Sequence, residues 1–265
     1  MSSTSSALFH SLTQGPLLIG SLPEASTFPF TSLQLPENPS PLNLEQKLGH
    51  LYEDALATLI QASPRYRLLE QSLQLRKIAG HTLGELDYLL EDLPSRQIIH
   101  LELAVKFYLA VQTPGALLLP GPNARDNYFR KLEKMRTHQL VLTGSHRELL
   151  PPEYRNQKIT TRQLVYGCLF DHIHTTEPAT PEFLNPNARR GKWLHADQCT
   201  EYFGENTRLE IIPKPLWPVP LDFIKDTPLE KWEIDTEIDR CLMVRTRTKP
   251  TPYFIAPIGY PETCQ

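Results

Sequence analysis

Apolar positions recur along the chain with two periods, and the changes between them mark out its elements. Leu44, Leu48, Leu51, Tyr52, Ala55 and Leu59 follow helical spacing. Asn43 offers a capping side chain, Gln46 stands three residues on, and Ser63-Pro64 ends the pattern. The first clear helix is therefore expected from Asn43 to residue 63. Residues 73–78 read as a strand, and Gly80-His81-Thr82 turns the chain into a second over residues 83–90. A third follows at residues 97–108, long and apolar enough to be central, although helical spacing also fits its second half. Gly121-Pro122-Asn123 opens another predicted helix that reaches about Leu140, with Gly144 just past its end. Leu132, Met135 and Gln139 face inward on it, while Arg125, Arg130, Lys134 and Arg136 face outward. Residues 162–170 form a further strand. The order α, β, β, β, α, β predicts an α/β fold with one mixed sheet over residues 43–170.

The flanking text has a different character. Residues 1–42, rich in Ser, Thr, Pro and Leu, read as an irregular wrap with mobile first residues. Residues 171–265 are Pro-rich, with strand-like pieces at 208–212 and 241–246, and are expected to be an appended β-rich region packed on the core.

Composition narrows the class. Hydrophobic residues make up 40% and charged residues 22%, ordinary globular usage that argues against disorder. With 25 Pro against 12 Gly, a coiled coil is also excluded. No apolar run approaches the ~18 to 20 residues of a bilayer span, and the N-terminus lacks a signal-peptide pattern, so a cytoplasmic protein without membrane contact is expected. Cys168, Cys199, Cys241 and Cys264 are far apart with no CxxC pair, which rules out a zinc ribbon and a small disulfide framework. The net charge of −3 conceals an asymmetry. Residues 1–60 hold one Lys against five acids, whereas residues 121–165 hold nine Lys and Arg against four acids. That basic segment is the natural place for an anionic partner.

The candidate chemistry lies on the second and third strands. Side chains alternate along a strand, so Glu85 and Asp87 share one face, as do His100, Glu102, Ala104 and Lys106. Ionisable residues inside a central strand carry a desolvation cost unless something pairs them. The short connection makes the strands neighbours, and Asp87 can then approach Glu102 with Lys106 beside them. A divalent cation relieves the repulsion between two such carboxylates, Mg²⁺ prefers oxygen ligands, and a nearby Lys can hold a developing anion. This is a toolkit for hydrolysing a phosphodiester. The plainer alternative is a buried Glu102–Lys106 ion pair with Asp87 at a solvated strand end.

The element order, with Asp in the second strand and Glu and Lys in the third, resembles the PD-(D/E)XK nuclease superfamily and its restriction-endonuclease-like core. A narrower resemblance covers most of the chain. It is carried by Leu48-Gly49-His50-Leu51-Tyr52-Glu53, Thr82-Leu83-Gly84-Glu85-Leu86-Asp87, and the run from His100 through Glu102 and Lys106 to Phe107. Gly121-Pro122-Asn123-Ala124-Arg125-Asp126, Gln139-Leu140, Leu184-Asn185-Pro186 and Gly191-Lys192-Trp193 continue it. These words are similar to an uncharacterised bacterial family built on a domain of unknown function, number eighteen fifty-three.

The superfamily resemblance implies roles. Asp87 and Glu102 match the metal-binding acids, with Mg or Mn as the implied divalent cation, and Lys106 matches the catalytic lysine. Glu53 matches a helical acid placed near the metal in some branches, and Gln139 a glutamine in RecB-like branches. Two departures stand out. The usual spacing is Glu-x-Lys, but here Leu103-Ala104-Val105 intervene, which sets Lys106 one pleat further along, ~6 to 7 Å. Leu86 also replaces the proline before the acid. A bulge or bend at residues 103–106 is therefore expected, bringing the Lys106 ammonium within about 6 Å of Glu102. Glu85 is read as support for the site, though its role and that of Asp87 are exchangeable.

Other features carry less. The spacing in His172-Ile173-His174 can bind Zn²⁺ or Mn²⁺, but no third ligand is evident and a chance pair is the better reading. Trp193, Trp217 and Trp232 are read as packing anchors rather than base-stacking platforms. Gly144-Ser145-His146 fits neither a phosphate loop nor a nucleophile elbow. Arg125, Arg130, Lys131, Lys134 and Arg136 are either phosphate contacts or a solvated face. The resulting expectation is a metal-dependent phosphodiesterase acting on nucleic acid. The alternatives are a non-catalytic nucleic-acid or protein binding module that keeps the nuclease-like core, and a scaffold protein.

Overall fold

The structure, a computed structural model, describes residues 3–77, 80–234 and 236–262. Ile78 and Cys264 lie outside the described residues. The chain opens with a helix, α1 (Ser3–Gln14), where an irregular wrap was expected. Ser-rich text hides its apolar stripe of Leu8, Phe9 and Leu12, all buried. Its serines satisfy their own polarity: the Ser11 hydroxyl donates to Leu8 O at 2.7 Å and lies 3.0 Å from the Tyr52 hydroxyl. Tyr52 belongs to α2 (Leu48–Ala62). That helix starts five residues later than Asn43, because the Asn43 side chain accepts from Glu45 N in a local turn instead of capping a helix. Ser63 closes it, as its position before proline requires.

Three strands follow as an antiparallel meander: β1 (Tyr66–Arg76), β2 (Thr82–Asp92) and β3 (Gln97–Gln112). β3 is a strand throughout, so its second half is not helical. The next helix, α3 (Tyr128–Thr137), begins about four residues after the expected start, since the Asn127 side chain caps it by accepting from Phe129 N and Arg130 N. It also ends before Leu140, and Gly144 falls within a separate short turn of helix, Leu142–Ser145. β4 (Ile159–His172) then lies parallel to β3 in unbroken register from Ile98↔Ile159 to Ala110↔Asp171. The expected irregularity at residues 103–106 is absent. Its place is taken by the close approach of the two strands. Gly167 pairs with Lys106 at φ 143°, and a Cβ there would stand 1.6 Å from Lys106 O.

The C-terminal region supplies β5 (Arg190–His195), β6 (Leu209–Ile211), β7 (Lys231–Trp232), β8 (Leu242–Thr246) and β9 (Tyr253–Ala256). The strand order is β1-β2-β3-β4-β5-β9-β8-β6-β7, so this region extends the same mixed sheet. One face of β3 packs Leu101, Leu103, Phe107 and Leu109 into the cluster that holds α1 and α2. The other packs Tyr108 and Ala110 against Tyr128, Leu132 and Met135 of α3. The central strands therefore sit between two helical layers, a mixed α/β arrangement whose apolar faces are both covered. Among the described residues no helix is long and apolar enough to cross a membrane.

Candidate functional site

The ladder between β2 and β3 runs from Asp92↔Gln97 to Tyr88↔Leu101. At the next step side chains replace it. The Asp87 carboxylate accepts the Leu103 N–H at 2.7 Å, and Glu102 Oε1 faces the Asp87 N–H at 3.5 Å. The parting of the two strands thus brings Asp87 and Glu102 together. Glu102 is only 2% exposed, while Asp87 is half-buried.

Strand alternation sets Glu102 on the side of the sheet that α3 covers, and its partners come from β3 itself and from the segment after α3. Gln139 Nε2 donates to Glu102 Oε2 at 2.9 Å, and His100 Nε2 lies 2.8 Å from Glu102 Oε1. The Gln139 carbonyl in turn accepts from Lys131 Nζ at 2.6 Å. Gly84 helps seat this segment: Leu142 presses so close that a Cβ on residue 84 would stand 2.8 Å from its Cδ1. His138 Nε2 reaches Leu83 O on the same strand at 2.9 Å.

The electrostatics follow from this packing. Among the described residues no Lys or Arg forms an ion pair with Asp87 or Glu102. Burial pushes the Asp87 carboxyl well above the usual carboxylate range, and the charges of Glu102 and Glu53 push it further. The Leu103 N–H and the Lys131 charge oppose this only in part. Lys131 is lowered by burial and by the neighbouring Lys106 ammonium. His100 is fully buried, and its Nδ1 has no hydrogen-bond partner.

The remaining expected residues divide. Lys106 shares the face of Glu102, but its ammonium donates to Asp126 Oδ2 at 2.6 Å. With β3 straight, Lys106 is carried along the strand to the Gly121–Asp126 loop instead of back over Glu102. Glu53 pairs with His50 at 3.1 Å, so its charge reaches Asp87 while its carboxylate is engaged elsewhere. Glu85 accepts from Gln74 Nε2 at 3.3 Å on the neighbouring strand. Arg125, Arg130 and Lys134 are exposed. Arg136 is not a free cation: Nε and Nη2 both bind Glu24, at 2.9 Å for Nη2, and its guanidinium lies over Phe183. The outward face of α3 is thus less basic than its sequence implies.

Two carboxylates that form no ion pair with Lys or Arg among the described residues match the needs of Mg²⁺ in kind and number, since that ion is usually held by one or two protein carboxylates and completes its shell with water. Among the described residues no three His, Cys, Asp or Glu side chains converge to hold a metal unaided. A recess of about 270 Å³, lined by Asp126, Asn127 and Arg130 among others, opens beside the Lys106–Asp126 pair. The larger recess, about 500 Å³, lies along β1 around Tyr66 to Gln71 and includes neither acid. Elsewhere, His172 binds Gln198 at 3.3 Å. Trp193 is buried with its indole N–H on Ala110 O, and the Trp217 ring packs edge-on against Phe107 and Phe254. Lys131 is the residue that local sequence reasoning grouped with the outward cations of this helix, as a phosphate contact or part of a solvated face. Its one sequence signal is adjacency to the inward-facing Leu132.

Residues 30–259 match the family described as a domain of unknown function, DUF1853, and the chain belongs to that family. No curated protein and no solved structure matches the chain.

Proposed function

Starting from that membership and the paired acids, we propose that the protein is a metal-dependent phosphodiesterase of nuclease-like build that hydrolyses nucleic acid. The observation that carries this reading is the meeting of Asp87 and Glu102 where β2 and β3 part, half-buried and buried, with no Lys or Arg among the described residues in an ion pair with either. Such an arrangement costs stability unless a cation fills it, and costs of that kind persist at functional sites. The element order α2-β1-β2-β3-α3-β4, with three antiparallel strands and a fourth parallel to the third, supports a restriction-endonuclease-like core.

Asp87 and Glu102 would hold one Mg²⁺ or Mn²⁺, whose chemistry is Lewis-acid polarisation of a phosphoryl oxygen and activation of water. In hydrolysis the water oxygen bonds to phosphorus, the bond to one ester oxygen breaks, and a proton shed by that water leaves on the departing alcohol or to solvent. The chain's own residues prepare this step. Gln139 and His100 fix the Glu102 carboxylate from two sides, and the Leu103 N–H fixes Asp87. Exposed Arg125, Arg130 and Lys134 would meet the phosphodiester backbone beyond the reacting group.

The test is cleavage of single- and double-stranded DNA and RNA with Mg²⁺ or Mn²⁺, run beside Asp87→Ala. Metal-dependent products from the wild type alone are expected. Equal products from the variant would place the activity elsewhere. The diversion of Lys106 to Asp126 favours a second reading, a binding module that keeps the core without cleavage; nucleic-acid affinity without products under any metal would support it.

A further inference from the structure

We infer that Lys131, delivered from α3, is the lysine that meets the reacting phosphate, and that Lys106, the lysine of the strand motif, is not. This rests on the phosphodiesterase reading. The two ammonium groups differ in what already holds them. Lys106 Nζ is committed to a carboxylate, Asp126 Oδ2, at 2.6 Å. Lys131 Nζ donates to a neutral acceptor, the Gln139 carbonyl, at 2.6 Å. An ammonium has three donors, so two remain for phosphate oxygens.

Position agrees. The Gln139 amide that holds Lys131 donates from its other end to Glu102 at 2.9 Å. One planar side chain thus spaces the ammonium from the metal-binding carboxylate and fixes their relation. Two partners of opposite kind, Lys131 Nζ donating to Gln139 Oε1 and Glu102 Oε2 accepting from Gln139 Nε2, also fix which way the amide faces. Gln139 is therefore a positioning residue. Lys131 lies close enough to Asp87, Glu102, Asp126 and Lys106 to feel the charge of each, which puts it centrally among the ionisable groups of the site. β3 keeps its register with β4 past Lys106, whose ammonium is taken by Asp126, whereas α3 covers the same face and carries Lys131 to the Gln139 that binds Glu102.

The experiment compares wild type, Lys131→Met, Lys131→Arg and Lys106→Gln by two readouts, Mn²⁺ affinity by calorimetry and cleavage of a labelled single-stranded DNA oligonucleotide. Lys131→Met should bind Mn²⁺ at least as tightly as wild type, because a nearby cation is gone, yet lose about 100-fold or more in kcat. Lys131→Arg keeps the charge and should recover part of that loss. Lys106→Gln should keep Mn²⁺ binding and lose far less kcat than Lys131→Met. Loss of kcat in Lys106→Gln with retention in Lys131→Met overturns this assignment and leaves the phosphodiesterase reading standing. A wild type that binds no Mn²⁺ and cleaves nothing overturns both.

Discussion

The Asp87 carboxylate receives the Leu103 N–H at 2.7 Å, so a side chain on one strand satisfies a backbone donor on its neighbour where the ladder between them has stopped. This bond explains how β2 and β3 can part without orphaning that donor. It also ties an acid to the residue next to Glu102. The same carboxylate serves structure and candidate chemistry, and the two demands conflict in charge.

That conflict predicts the sign of a mutation. Asp87 has a folded pKa raised above its unfolded value, so the folded chain binds more protons in the interval between the two. Stability attributable to this group falls as pH rises through that interval and stays reduced above it. Asp87→Asn keeps an oxygen for Leu103 and removes the charge. It should raise stability at neutral pH by about 0.5 to 2 kcal/mol, with the advantage shrinking as pH falls toward ~4. Asp87→Ala, which also removes the acceptor, should be less stable than Asp87→Asn. Thermal melts of the three proteins across pH would show this; a less stable Asp87→Asn at neutral pH would contradict it.

Gly167 marks a close approach of β4 to β3. An added methyl meets Lys106 O at 1.6 Å, and φ 143° disfavours any side chain. Gly167→Ala is expected to cost about 2 to 5 kcal/mol. Denaturant unfolding measures it, and a loss below that range would mean that the strands can move apart.

Phosphate contacts should come from Arg130 and Lys134, not Arg136. Charge reversal of the first two should weaken DNA binding without changing sequence preference and reduce the salt slope by up to ~2. Arg136→Glu should instead lower stability, because it breaks the ion pair with Glu24. Fluorescence anisotropy across a salt series separates the two kinds of effect. An unchanged slope in the double variant would remove α3 from the interface.

Burial pushes the thiols of Cys168 and Cys199 up to about 12. At pH 8 roughly one in 10⁴ is then a thiolate, against about one in four for an ordinary cysteine. Neither should be alkylated by iodoacetamide until the chain unfolds, as peptide mass spectrometry would record. Rapid labelling in the native protein would mean that these layers open.

Much of the fold was legible because alternation and helical spacing report burial directly. The shared face of His100, Glu102, Ala104 and Lys106 follows from strand geometry alone, and so do the inward positions of Leu132 and Met135. Three features were not legible, each for a physical reason. The Ser-rich start of α1 read as loop because nothing local shows that Ser11 packs against the Tyr52 hydroxyl of another helix. Arg136 read as a free cation because its partner, Glu24, lies 112 positions away. Lys131 read as one of the outward cations, a phosphate contact or part of a solvated face, because nothing local shows that its ammonium reaches Gln139. The strand irregularity expected near Lys106 came from requiring that one residue to be the site's lysine.

The central claim is that Asp87 and Glu102 together form one divalent-cation site, and calorimetric titration with Mn²⁺ tests it most directly. Wild type should bind a single ion, and Asp87→Asn should bind none while melting no lower than wild type, which shows that its fold is intact. Equal binding by the two proteins, or none by either, would contradict the account.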